Sequence, residues 1–237
     1  MKYIVSFGLA LFMLGFALGV PLLGWGITDW QGFFSNPARV LYSISVGILA
    51  LSVSVGLHLL RFPYTPGKRE GERSKRVSRQ SIVPLLTRLV WLAVFVISPY
   101  GDRRDIAMIG TGDALRYGGV LLFVLGLVWI GWAFLTLGKQ HSGEVTVQSG
   151  HQLITNGPYR WLRHPLYLGL IVFPIGVGLV FLSWPGVLLP LLLIGLFIWR
   201  IGDEEALIHR EFGEQWERYC QRTRRFIPYL YLTECGR

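Results

Sequence analysis

Apolar runs of membrane-spanning length alternate along this chain with short polar interruptions, and a run of roughly 20 apolar residues suffices to cross a bilayer as a helix. The pattern predicts a first span over about Tyr3–Ile27, an aromatic loop over Thr28–Pro37 and a second span over about Ala38–Phe62. A basic loop follows over 63–80, with six Lys and Arg from Lys68 to Arg79. A third span covers about Ile82–Tyr100, a short loop Gly101–Asp105, and a fourth about Ala114–Gly138. The apolar block from Leu166 to Trp199 is too long for one span, and Ser183-Trp184-Pro185-Gly186 lies at its middle. It predicts a tight helical hairpin with arms of about 17 residues and Pro-Gly at the turn. The first apolar run lacks a small-residue cleavage pattern followed by a soluble domain, so it reads as a retained helix. The expected fold is all-α: a polytopic membrane bundle of about six transmembrane helices, the last two a tight hairpin.

Beyond Trp199 the pattern changes. Apolar Ile208, Phe212, Trp216, Tyr219 and Cys220 recur at helical spacing among charges, which predicts a C-terminal amphipathic cytoplasmic helix, with Phe226–Leu230 docking its end. Composition agrees with a membrane protein: 52% of the 237 residues are hydrophobic and mean hydropathy is +0.46. The formal net charge of +9 does not point to nucleic acid, because the basic residues cluster in loops between apolar spans. There they fix topology and meet anionic lipid headgroups. Placing the 63–80 loop in the cytoplasm puts Lys139–Arg163, the tail and both termini on that face. Only Arg39, Arg103, Arg104 and Arg116, of 23 Lys and Arg, then fall outside. Cys220 and Cys235 lack metal-ligand spacing, and a tail in the reducing cytoplasm is not expected to hold a disulfide.

The stretch Leu153–Gly169 stands apart. Between two apolar blocks it gathers Asn156, Tyr159, Arg160, Arg163, His164 and Tyr167, with two prolines and two glycines that prevent a regular helix. Asp203-Glu204-Glu205 follows Arg200 just below the last span, on the same predicted face. These acids are either solvated residues favoured by the dipole at a helix start or carboxylates at the mouth of a pocket. The pocket reading is lined by Tyr159, His164, Tyr167, Arg200 and Glu204 or Glu205. No metal motif, phosphate loop or nucleophile elbow occurs, so any chemistry there rests on positioning and electrostatics.

The run His151-Gln152-Leu153-Ile154-Thr155-Asn156-Gly157-Pro158-Tyr159, then Arg163-His164-Pro165-Leu166-Tyr167-Leu168-Gly169, Arg200, Glu204-Glu205, Phe212-Gly213 and Tyr219, resembles the isoprenylcysteine carboxyl methyltransferase family. Phospholipid methyltransferases share much of this pattern. The resemblance covers about Gly138–Tyr229; the four N-terminal spans match only as generic hydrophobic helices. It implies methyl transfer from S-adenosylmethionine within the membrane. By position, His151, Gln152, Leu153, Ile154, Tyr159, His164, Pro165, Leu166, Tyr167 and Glu204 would bind that cofactor. Arg200 would bind the acceptor, and Arg200, Glu204 and His164 would be the catalytic set, with no metal. The chain then reads as a single membrane domain, 1–137 supplying four spans and 138–230 the methyltransferase-like region. Its partners are membrane lipids and a lipophilic or small-molecule acceptor bearing a carboxylate, amine or thiol. Two other readings compete. Membrane sterol reductases, which use NADPH on a carbon–carbon double bond, resemble the Tyr219-Cys220 and Ile227-Pro228-Tyr229 end; a membrane scaffold without activity is the third.

Overall fold

The computed structural model describes residue 8 and residues 10–59, 82–138 and 153–225. All regular structure among them is helical, apart from two isolated β-bridges. In chain order the helices are α1 (Ala10–Trp25), α2 (Ile27–Phe34), α3 (Pro37–Leu59), α4 (Ile82–Arg104), α5 (Asp113–Leu137), α6 (Pro165–Val180), α7 (Trp184–Phe212) and α8 (Glu214–Arg222). Helices α3, α4, α5 and α7 are long and apolar enough to cross a membrane. The pair α1 and α2, bent by 93°, counts as a fifth such element. Helix α6, at 16 residues, rises only about 24 Å, short of the roughly 30 Å hydrocarbon core. Among the described residues, the expected six is reached only by counting this short helix together with the bent pair.

Two predicted loops are helical. Within Thr28–Pro37, α2 includes a turn from Trp30 to Phe34 that Asp29 caps by accepting from the Gly32 amide at 3.1 Å. Helix α4 runs through Gly101-Asp102-Arg103-Arg104, because the two arginines in its last turn suit the negative end of the helix dipole. The tail also differs from its expected form. Helix α7 continues unbroken from the apolar run to Phe212, so Asp203, Glu204 and Glu205 lie inside a helix and not at its start. Residues 203–212 are mostly sound helix formers, and the break falls at Gly213, whose φ of +48° is costly for any residue with a Cβ. The amphipathic segment beyond it is the nine-residue α8.

The described residues group into two compact units. The first draws on Met1–Pro63, Arg88–Leu125 and Val172–Leu191. Its core is aromatic: Phe33, Tyr42, Phe95, Phe123 and Phe181 are buried, with the Tyr42 and Phe123 ring centroids 4.9 Å apart. The predicted hairpin is present, turning through Phe181-Leu182-Ser183 before α7 begins at Trp184. Its arms touch at Gly178 and Gly186, where a Cβ on Gly178 would collide with the Gly186 backbone.

Asp102 in this unit holds two buried arginines. Arg39 Nη1 donates to Oδ2 at 2.8 Å, and Arg116 Nη1 and Nη2 donate to Oδ2 and Oδ1 at 2.7 and 2.6 Å. Backbone carbonyls take further donors: Arg39 Nε reaches Phe33 at 2.8 Å, and Arg116 Nη1 reaches Val180 at 2.8 Å. Burying charge is tolerable only when pairing and hydrogen bonding offset desolvation. The network thereby joins α2, α3, α4, α5 and the C-terminal end of α6.

The second unit draws on Tyr64–Thr87, Gly126–Ile171 and Leu192–Arg237. Leu162, Leu193, Phe197, Ile201 and Trp216 are buried in it. It contains every described residue singled out above as a site candidate.

Candidate active site

The irregular stretch folds as its composition requires. Gly157 takes φ +55° and opens a 3₁₀ turn over Gly157–Arg160, with Pro158 in the first positions where its missing N–H is no loss. Leu162 then forms an isolated parallel bridge with Arg224. The Arg224 amide donates to the Trp161 carbonyl at 2.9 Å, the Arg163 amide to the Arg224 carbonyl at 2.7 Å, and the His164 amide to the Arg225 carbonyl at 3.1 Å. These bonds satisfy backbone groups that a membrane-embedded loop would otherwise leave unpaired. Pro165 starts α6, its fixed φ suiting the first turn.

Helix α6 then presents Tyr167, and α7 presents Arg200 and Glu204, one turn apart. Tyr167 Oη donates to Glu204 Oε1 at 2.6 Å and accepts from Arg200 Nε at 2.7 Å; Arg200 Nε also reaches Glu204 Oε1 at 2.9 Å. The Tyr167 ring lies 4.6 Å from Phe197 and 5.8 Å from the His164 imidazole, centroid to centroid. His164 sits between adjacent carboxylates. Its Nε2 is 3.2 Å from Glu205 Oε1, while its Nδ1 is 3.6 Å from Glu204 Oε2, beyond hydrogen-bond length.

Glu205 faces a second set of cations. Arg225 Nε donates to its Oε2 at 2.8 Å, with Arg225 Nη2 also bonded there, and Arg163 Nη1 stands 3.5 Å from Oε1. Burial pulls the Arg163 guanidinium below its usual range, with Glu205 opposing that shift. Cys220 Sγ is 2.8 Å from Arg163 Nη1. Cys220 is disulfide-bonded, against the expectation of a thiol on a reducing face; Cys235, the other cysteine in the sequence, lies outside the described residues. Helix α8 is pinned by Tyr219, whose hydroxyl donates to the Tyr159 carbonyl at 2.7 Å. Burial pushes both phenols, Tyr159 and Tyr219, well above the ordinary tyrosine range, so they remain neutral.

Of the residues singled out by sequence, His164, Tyr167, Arg200 and Glu204 are brought into one contact group. Tyr159 is buried nearby through Tyr219, and Pro165 and Leu166 form the first turn of α6. Leu153 and Ile154 are half-buried before the turn. His151 and Gln152 lie outside the described residues, as does Phe226–Leu230. Sequence reading did not find the role of Arg225, whose charge read there as a topology signal, and it marked Arg163 as part of the polar stretch without its pairing to Glu205. Glu205 was legible only as an alternative to Glu204.

These helices define a polytopic integral membrane protein with a buried, ion-paired site where an irregular loop meets its last long helix. Residues 119–210, which contain that contact group, match the model of the isoprenylcysteine carboxyl methyltransferase (ICMT) family. Through this region the chain is similar to that family. A probable protein-S-isoprenylcysteine O-methyltransferase from Oryza sativa subsp. indica is 30% identical over 119 residues, which is 49% of this chain and 62% of the rice protein. The match thus spans less than two thirds of that relative. The protein-S-isoprenylcysteine O-methyltransferase of Schizosaccharomyces pombe is 27% identical over 220 residues, covering 84% of this chain and 89% of the yeast protein. The solved structure of the eukaryotic intramembrane Ras methyltransferase ICMT shares the fold, with a TM-score of 0.55, 21% identity and coverage of 92% of this chain and 74% of that one.

Proposed function

We propose that this chain is an S-adenosylmethionine-dependent membrane methyltransferase that esterifies the carboxylate of a prenylated cysteine at a protein C-terminus. The observation that carries the reading is the Tyr167–Arg200–Glu204 group with His164 beside it, inside the region that matches the family. The similar proteins from rice and yeast are named for that O-methylation. The acceptor proposed is therefore a lipid-modified protein end, narrower than the lipophilic or small-molecule acceptor expected from sequence. The site is read as facing the cytoplasm, with both termini there, from the distribution of Lys and Arg.

The donor set suits the cofactor. Glu204 keeps a partly exposed carboxylate, 18% accessible at the side chain, whose Oε2 has His164 Nδ1 for a neighbour at 3.6 Å. A carboxylate oxygen beside a ring nitrogen is an acceptor pair for an ammonium, and the same negative charge stabilises a sulfonium. When bound, S-adenosylmethionine supplies a methyl group on a positively charged sulfur that leaves as a neutral thioether. Glu204 and His164 would hold it, with Tyr159, Pro165, Leu166 and Tyr167 around them and Leu153 and Ile154 at the loop. Tyr167 fixes the Glu204 and Arg200 side chains relative to each other through one hydroxyl. Arg200 supplies the positive charge that orients an anionic acceptor. A carboxylate acceptor enters ionised and needs no general base, which suits a site without an activated nucleophile. His164 and Arg200 are buried, and low exposure to water strengthens each of these interactions.

The test is an assay of purified protein in detergent with methyl-labelled S-adenosylmethionine and a short S-farnesylated cysteine bearing a free carboxylate. Base-labile label, the behaviour of a methyl ester, is expected. Base-stable label on an amine lipid would instead assign the chain to the phospholipid-type reaction.

A further inference from the structure

Glu204 and Glu205 are consecutive, so helical geometry sends their side chains about 100° apart, and they serve different partners. Glu204 meets Tyr167 and Arg200 and is the more open of the two, at 18% against 7% side-chain exposure. Glu205 is held by Arg225 through Nε and Nη2 and stands 3.5 Å from Arg163. Its Oε1 also lies 3.2 Å from His164 Nε2. The same C-terminal segment that carries Arg225 also pairs its backbone with Trp161, Arg163 and His164. The imidazole is therefore fixed at its backbone by one end of this strap and at its ring by a carboxylate the strap holds.

We infer that Glu205, locked by Arg225 and Arg163, is a positioning residue that fixes His164 as the Nε2–H tautomer, leaving Nδ1 as a lone-pair acceptor beside Glu204. A carboxylate flanked by two guanidiniums stays ionised and is acceptor-only, so the ring nitrogen facing it must carry the proton. In a neutral ring the opposite nitrogen is then bare. The carboxylate–histidine arrangement that orients metal-binding imidazoles sets the tautomer by the same logic. Here the oriented nitrogen points at the acceptor pair assigned to a cationic ligand, so the consequence for catalysis rests on the methyltransferase reading, whereas the tautomer does not.

Replacing Glu205 by Gln gives a sharp expectation. Arg225, a donor only, bonds through two nitrogens to the Oε2 position and claims the amide oxygen there, which turns the amide NH₂ to the Oε1 position facing His164. That NH₂ needs an acceptor, which moves the ring proton to Nδ1. The experiment is ¹⁵N NMR of ring-labelled histidine in the full-length protein in detergent, at a pH about two units above the ordinary histidine value. The His164 signals are assigned by their loss in His164→Asn. The wild type is expected to show a protonated Nε2 and a bare Nδ1, and Glu205→Gln to reverse the two. Glu205→Asp, which keeps an anionic acceptor, is expected to retain the wild-type tautomer and serves if the Gln variant fails to fold. A wild-type ring protonated at Nδ1, or at both nitrogens, overturns the inference, as does Glu205→Gln leaving the tautomer unchanged. These readouts need no turnover, so they stand or fall apart from the proposed reaction.

Discussion

Tyr167 and Glu204, 37 residues apart in sequence, are joined by a 2.6 Å hydrogen bond between phenol and carboxylate, and the same phenol accepts from Arg200 at 2.7 Å. One hydroxyl thus mediates between the carboxylate assigned to the cofactor and the guanidinium assigned to the acceptor. Tyr167→Phe keeps the ring packed on Phe197 and removes only that link. Hydrogen bonds to charged groups contribute about 1.5–3 kcal/mol, so kcat/KM is expected to fall about tenfold to a hundredfold, with a lowered unfolding midpoint beside it. Steady-state kinetics on the purified variant measures this, and full activity would remove Tyr167 from the site.

Glu204 and Arg200 are expected to separate in their effects although they touch. Glu204→Ala and His164→Ala should weaken S-adenosylmethionine binding, by about tenfold or more for loss of one charged contact. Arg200→Ala should leave that affinity within a few-fold and raise KM for the anionic acceptor. Isothermal titration with the cofactor, set beside acceptor kinetics, tests the division. Equal loss of cofactor affinity in all three variants would contradict it.

The hydropathy pattern located the long helices because burial in lipid demands consecutive apolar residues, and α3, α4 and α5 begin within a residue of their expected starts. The polar run Arg163-His164-Pro165-Leu166-Tyr167 and the pair Glu204-Glu205 were legible because charge is expensive near the hydrocarbon and stands out there. Asp102 was read as a loop residue, although it lies in the last turn of α4 and pairs with Arg39 and Arg116, 63 and 14 residues away. Such pairing has no periodicity and leaves no local signature. Arg225 was obscured for a related reason: a basic residue near the membrane face is already accounted for by topology.

Asp102 supports a stability prediction in the first unit. Asp102→Ala leaves two buried guanidiniums without their carboxylate, and breaking a buried pair in this way costs about 3–5 kcal/mol. A lowered unfolding midpoint in detergent is expected, with Asp102→Glu closer to wild type. Thermal unfolding followed by intrinsic fluorescence gives the comparison, and an unchanged midpoint for Asp102→Ala would deny the network its structural role.

Tyr159 and Tyr219 set an alkaline limit. Their phenols are raised above the usual value by burial, so the folded state holds those protons more tightly than the unfolded chain does. Their contribution is fully present below the unfolded tyrosine value of about 10 and is lost as pH rises through the folded values. Tyr219→Phe, which also loses the 2.7 Å bond to the Tyr159 carbonyl, is expected to be about 1 kcal/mol less stable at neutral pH. Its decline above pH about 10 should be shallower. Urea-unfolding midpoints across an alkaline series measure both effects.

The central claim is tested most directly by ligand binding to the purified, full-length protein in detergent, S-adenosylmethionine or its demethylated product against NADPH. Saturable binding of the S-adenosyl ligands, weakened by Glu204→Ala and accompanied by no NADPH binding, is the predicted result. Saturable NADPH binding with none for S-adenosylmethionine would contradict the account and turn the site toward reduction.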